Sequence, residues 1–266
     1  MTDFITPDLE KCTKCGACVE VCPRRVLEMR ENGPFYAGGS CCLCGHCVAV
    51  CPTEALENKN CPLENQVSLS DFTPPGASDA QKFLRMRRSV RAFLPEPVPR
   101  EKMLELIEIA RFAQTGSNSQ GISYLLVDDE EVIQKAREYA GTFLEGSTFE
   151  EAYPHSFKHY TEIGVDYYLR GAPNLILALS DKGFENGRNN AIFSLTYVEL
   201  YAPALGLGTC WAGYFEYVAF SKGNPMDELF SIPENKTIRG AMMVGYPKYH
   251  YPRLVDRNPL DYTFFT

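Results

Sequence analysis

The sequence predicts an α+β protein built in two parts. Eight cysteines between residues 12 and 51 fall into two copies of one spacing. Of eleven cysteines in the chain, only Cys210 lies beyond residue 61. Past that change in composition, helical and strand-like patterns follow one another without a regular βαβ beat. That mixture favours α+β over a doubly wound parallel sheet.

Residues 1–60 read as the first domain, an internal repeat. Cys12, Cys15, Cys18 and Cys22 have the spacing C-x2-C-x2-C-x3-C and precede Pro23. Cys41, Cys44, Cys47 and Cys51 repeat it and precede Pro52. Between the halves, Asn32, Gly33 and Pro34, then Gly38 and Gly39, are turn signals. Residues 61–80, with Pro62, Pro74, Pro75 and Gly76, read as a linker. Residues 81–266 form the second domain. A helix is expected from about Arg100, where Met103, Leu104, Leu106, Ile107, Ala110 and Ala113 share an apolar face. Residues 123–127 read as a strand and 130–140 as a surface helix. Residues 142–168, rich in Tyr, Phe, His and Gly, lack periodicity and read as a flap. Residues 174–179 and 241–244 read as buried strands, and the apolar stretch 190–205 as a central helix.

The cysteine spacing is that of the bacterial ferredoxins, whose thiolates hold two [4Fe–4S] clusters. Three thiolates two residues apart can wrap a compact loop around one cluster. In those proteins the cysteine before proline ligates the partner cluster. The resemblance therefore implies one cluster on Cys12, Cys15, Cys18 and Cys51, and a second on Cys41, Cys44, Cys47 and Cys22. Two other uses of cysteine fit the pattern less well. Disulfides need an oxidising compartment, and the chain starts at Met1 without a signal-like apolar segment. Zinc sites close with two pairs of ligands, and a third cysteine at this pitch, repeated, is not their pattern. Cys42, Cys61 and Cys210 lie outside the motif and read as free, packed thiols. His46 reads as a loop residue.

Lys plus Arg total 26 against 34 Asp plus Glu, a formal charge of −8. That balance argues against a nucleic-acid binder relying on phosphate contacts. No apolar run is long enough to span a bilayer, and thiol-rich motifs suggest a cytoplasmic protein. The acidic balance also disfavours broad docking of an acidic carrier.

Four segments of the second domain carry chemistry. In 87–93, Arg87, Arg88, Ser89 and Arg91 offer three cations and a hydroxyl, enough for a phosphate or for a solvated turn. In 114–121, Thr115, Gly116, Ser117, Asn118 and Ser119 are small hydrogen-bonding groups, which also suit a helix cap and loop. In 205–213, Gly206 and Gly208 precede Cys210, Trp211, Ala212 and Gly213, where glycines let backbone approach a flat ring. It is no dinucleotide fingerprint, because Trp211 occupies the third glycine position. The fourth segment is Gly245, Tyr246 and Pro247, followed by Lys248, Arg253 and Arg257. His155 and His159 are four apart but lack the glutamate of a zinc helix, and read as flap or surface residues.

In this order the segments resemble the nitroreductase family of FMN enzymes over about residues 82–260, and the whole chain resembles its ferredoxin-fused branch. The resemblance implies a dimeric α+β fold: a ferredoxin-like 2[4Fe–4S] domain plus a nitroreductase-like FMN-binding domain. It implies that Arg87, Arg88, Ser89 and Arg91 hold FMN. Thr115, Gly116 and Asn118 stand in the loop that reaches flavin bound largely to the other subunit, with Gln114 in place of the family's proline. Trp211, Ala212 and Gly213 support the ring. Arg257 matches the late basic residue on the phosphate, with Arg253 as the alternative.

The expected activity is an FMN-dependent reductase of a homodimer. Electrons enter through the two clusters from ferredoxin or NAD(P)H and leave to a small acceptor such as a nitroaromatic or quinone. Relatives of this fold also dehalogenate aromatics or oxidise azolines, and residues 153–170 carry no motif that decides between them. An electron-transfer subunit without catalysis is the alternative from another class.

Overall fold

A computed structural model describes residues 5–265 apart from 146, 148–150, 152–161 and 163–165. Most of the expected flap, including His155 and His159, lies outside the described residues. The chain divides into two compact units, Met1–Pro74 with Gly116–Ser119, and Pro75–Thr115 with Gln120–Thr266.

The first unit is a two-fold repeat in backbone as well as sequence. Strand β1 (Ile5–Pro7), helix α1 (Ala17–Glu20), strands β2 (Leu27–Arg30) and β3 (Gly33–Tyr36), helix α2 (His46–Ala49) and strand β4 (Leu56–Asn58) follow in order. β1 pairs antiparallel with β4, and β2 with β3. Lys14, Gly16 and Arg25 have positive φ, and so do Leu43, Gly45 and Glu54, each 29 positions further on. The same left-handed residues therefore bend both cysteine loops and both segments after the prolines. The core is small: Ile5, Cys18, Val26, Leu27, Cys47, Val48 and Leu56.

The second unit is built on strand β6 (Asn174–Asp181), buried along all but its last residue. It lies between β5 (Ser123–Val127) and β8 (Lys236–Gly245), and β8 also pairs with β7 (Gly208–Trp211), giving the antiparallel order β5-β6-β8-β7. Strand side chains alternate between faces. Leu175, Leu177 and Leu179 therefore pack with helices α5 (Glu130–Leu144) and α7 (Gly213–Ala219). Ile176 and Ala178 pack with helices α4 (Arg100–Glu108) and α6 (Gly187–Tyr201) on the other side. Helix α3 (Ala77–Met86) opens this unit and α8 (Met226–Leu229) lies late in it.

The expected α+β class holds, and several boundaries move for identifiable reasons. Helix α3 begins inside the stretch 61–80 read as linker, because proline and glycine mark only its entry at Pro75 and Gly76. The central helix tightens into a 3-10 turn at Ala202–Leu205, where Pro203 brings no backbone N–H. The Gly-rich segment 205–213, for which no strand was expected, contains β7. A Cβ at Gly208 would stand 2.7 Å from Val90 and 2.9 Å from Pro247, so glycine here permits close packing of chains. Among the described residues no helix is long and apolar enough to cross a membrane.

Candidate cofactor sites

The eight motif cysteines line two cavities of nearly equal size. Cys12, Cys15, Cys18 and Cys51 line the first. Cys22, Cys41, Cys44 and Cys47 line the second, together with Cys42 and Asn58. Each cavity thus takes three thiols from one half and the pre-proline thiol from the other. Among the described residues, no three His, Cys, Asp or Glu side chains converge on a single ion position. The thiols are spread around a volume, which fits a cluster whose irons each take one thiolate better than a lone zinc. None of the cysteines is in a disulfide.

The local chain supplies N–H groups to sulfur. Leu43 N–H donates to Cys41 Sγ at 3.4 Å and Ala55 N–H to Cys51 Sγ at 3.2 Å. Burial pushes the Cys47 thiol up to about 11 and raises Cys18 as well. Burial also acts to raise Cys51, but the N–H groups of Thr53, Ala55 and Leu56 and the Thr53 hydroxyl outweigh it and lower this thiol. Iron bound there would offset such costs by taking the thiolate directly. Cys61 lies outside both ligand sets, and its thiol donates to Leu43 O at 2.7 Å.

In the second unit, three of the four segments singled out in the sequence converge at one end of the sheet. Val90 N–H donates to Thr209 O at 2.9 Å, and Ser89 bridges Thr209. Leu94 N–H donates to Tyr246 O, Lys248 N–H donates to Ala92 O, and Phe93 bridges Pro247. The 87–93 segment therefore joins β7 to the chain beyond β8.

An extended segment cannot turn all its side chains one way. The Cys210 thiol donates to Trp211 O at 3.5 Å, and Arg91, Arg170, Glu199 and Ser89 lie close enough to act on it. Burial nevertheless raises the Cys210 thiol, as expected of a packed cysteine. Arg87 pairs with Glu199 at 2.8 Å. Arg88 lines a large cavity with Val90, Thr209, Pro247, Tyr251 and Arg253. Its Nε is buried without a partner among the described residues, a donor set waiting for an anion. Arg253 shares this cavity, while Arg257 lies on the exposed tail.

Trp211 ends β7, and Ala212 and Gly213 lead into α7. Thr115 Oγ1 accepts from Gln120 N–H at 3.0 Å and closes the base of its loop. Gly116 and Asn118 group with the first unit of their own chain. Asn118 Nδ2 donates to Cys42 O and Leu43 O, both at 3.1 Å.

The sequence reading missed two buried carboxylates. Glu199 is the one charged residue in the stretch 190–205, a lone carboxylate in an apolar helix, and that contrast was the available signal. Glu216 accepts from Arg188 at 2.9 Å and from Ala241 N–H at 2.9 Å, tying α6, α7 and β8 together. Nothing local in its sequence marks that role.

The profile of the Nitroreductase family matches residues 84–246, and that of a 4Fe-4S dicluster domain matches residues 8–56. The chain is 25% identical to the iodotyrosine deiodinase of Thermotoga neapolitana over 178 residues, 64% of this chain and 90% of that protein. It is 27% identical to the FMN reductase [NAD(P)H] of Bacillus subtilis over 187 residues, 62% of this chain and 65% of that one. A nitroreductase structure with bound FMN from Desulfitobacterium hafniense superposes with a TM-score of 0.57 at 20% identity, over 70% of this chain and 98% of that one. At that identity the superposition speaks for the fold.

Proposed function

The chain belongs to the nitroreductase family, and we propose that it is an iron–sulfur flavoprotein reductase, passing electrons from two [4Fe–4S] clusters to FMN and on to a small acceptor such as a nitroaromatic or a quinone. One observation carries the flavin half of this reading: the 87–93 segment meets both β7 and the chain after β8. Residues far apart in sequence are gathered there with an orphaned arginine donor. The dicluster match and the two cysteine-lined cavities support the other half.

When bound, FMN supplies the electron-pair chemistry, and the protein supplies position and electrostatics. Arg87, Arg88, Ser89 and Arg91 bind its polar groups and phosphate, joined by Arg257 or by Arg253, which already stands beside Arg88. Glu199 holds Arg87 in place and limits the net positive charge. Trp211, Ala212 and Gly213 lie along the ring. Cys12, Cys15, Cys18 and Cys51 hold one cluster, and Cys22, Cys41, Cys44 and Cys47 the other.

The working form is a homodimer. Phe83, Leu84, Phe112, Phe193, Leu260 and Phe264 are all exposed on the second unit, an apolar surface that a second copy would cover. A second reading, reductive dehalogenation of an aromatic, draws on the similarity to a protein named a deiodinase.

The test is anaerobic: quantify iron, sulfide and flavin, then titrate with reduced ferredoxin and separately with NAD(P)H, following both chromophores. The expected result is full cluster and FMN loading, with reduced flavin reoxidised by a nitroaromatic or quinone. Reoxidation by a halophenol with halide release would favour the second reading. Clusters without flavin would overturn the enzyme and leave an electron-transfer protein.

A further inference from the structure

The two halves of the first unit repeat at an offset of 29 residues, and one of their differences faces the cavities. Met29 lines the first cavity. Its counterpart 29 positions on is Asn58, which lines the second. Asn58 is fully buried, and its Nδ2 has no hydrogen-bond partner among the described residues. The amide orientation is fixed, because Asn58 Oδ1 accepts from Asn60 N–H at 3.0 Å, a bond only the oxygen can accept. A buried amide N–H left without an acceptor is costly, and native proteins keep few of them. Cys22, Cys41, Cys44 and Cys47 line the same cavity.

We propose that Asn58 Nδ2 donates a hydrogen bond to a sulfur of the second cluster and raises the reduction potential of that cluster alone. The proposal rests on the cluster assignment above. A cluster gains negative charge on reduction, and an N–H dipole aimed at its sulfur stabilises that charge. Asn118 assists from outside the loop. In a planar trans peptide the C=O and N–H point opposite ways. Asn118 holds the Cys42 carbonyl outward, and Leu43 N–H in the same peptide then points at Cys41 Sγ. Cys61 steadies the next carbonyl, Leu43 O, which Asn118 also holds. Among the described residues no side chain holds the corresponding carbonyls of Thr13 and Lys14. The first cavity has a different device, the Thr53 hydroxyl, at the longer distance of 3.9 Å from Cys51 Sγ.

The experiment is a potentiometric titration of the holoprotein followed by EPR, comparing wild type with Asn58→Leu, a swap of similar size that removes the donor. Iron, sulfide and flavin contents are measured alongside. One couple should fall by about tenfold in its reduction equilibrium, about 59 mV for a one-electron step, while the other stays. Asn118→Gly, which keeps a backbone suited to the positive φ of 53°, should move the same couple in the same direction by less. If Asn58→Leu loads poorly, Asn118→Gly decides by the same readout. Unchanged couples, or both couples moving together, would overturn the proposal and leave the cluster assignment standing. A wild-type protein without iron would overturn the assignment itself.

Discussion

In the first unit the buried core is seven side chains, and Cys18 and Cys47 are two of them. In the second unit, β6 alone sends Leu175 and Leu177 into one apolar layer and Ile176 and Ala178 into another, all fully buried. The contrast shows two ways of closing a fold. A domain of this small size rarely buries enough apolar surface to hold itself together, and metal ligation makes up the difference. The second unit covers both faces of its sheet with helices and depends on packing.

Removing iron is the strongest way to break this comparison. Anaerobic chelation should unfold the first unit and leave the thermal transition of the second in place, as read by calorimetry with far-UV circular dichroism. If the first unit keeps its transition without iron, its fold does not depend on ligation.

A core truncation probes the other side. Leu195 on α6 is fully buried, and its side chain approaches Gly240 so closely that a Cβ there would stand 2.8 Å away. Leu195→Ala should cost about 2–5 kcal/mol of the second unit's stability, measured by urea denaturation, with cluster absorbance unchanged. A loss of cluster absorbance at the same urea concentration would mean that the two units unfold as one.

The smallest effect concerns a surface pair of the second unit. The Arg100 guanidinium, 2.6 Å from Asp128, holds the Asp128 carboxyl below its usual range. A depressed folded pKa gives stability that is present above the unfolded value, about 3.9, and lost as pH falls through the folded value. Asp128→Asn should therefore flatten the acid limb of the second unit's melting temperature slightly, since exposed pairs contribute little. An equal acid limb in both proteins would show that this pair contributes nothing.

Legibility followed how local each signal is. The cluster ligands were readable because cysteine, its pitch and the following proline all sit within one loop. β6 was readable because a short apolar run fills a buried strand whichever face each residue takes. β7 was not, because Gly208 looks like a loop residue until Val90 and Pro247 are packed against it. Within its own chain Asn118 is engaged by Cys42 and Leu43. No spacing in its own segment could announce partners some 75 positions away.

By itself the sequence determined the two-part organisation, the eight thiols and their repeat, the α+β class and the arginine-rich segment, all of which depend on residue type and short-range order. Only the tertiary structure decided which thiols share a cavity, that Arg87 meets Glu199 while Arg88 turns to Arg253, and that Asn58 carries a buried donor where Met29 carries none. Those outcomes depend on strand pairing and alternation between distant segments, and a side chain's facing is fixed only once its strand has found its partner.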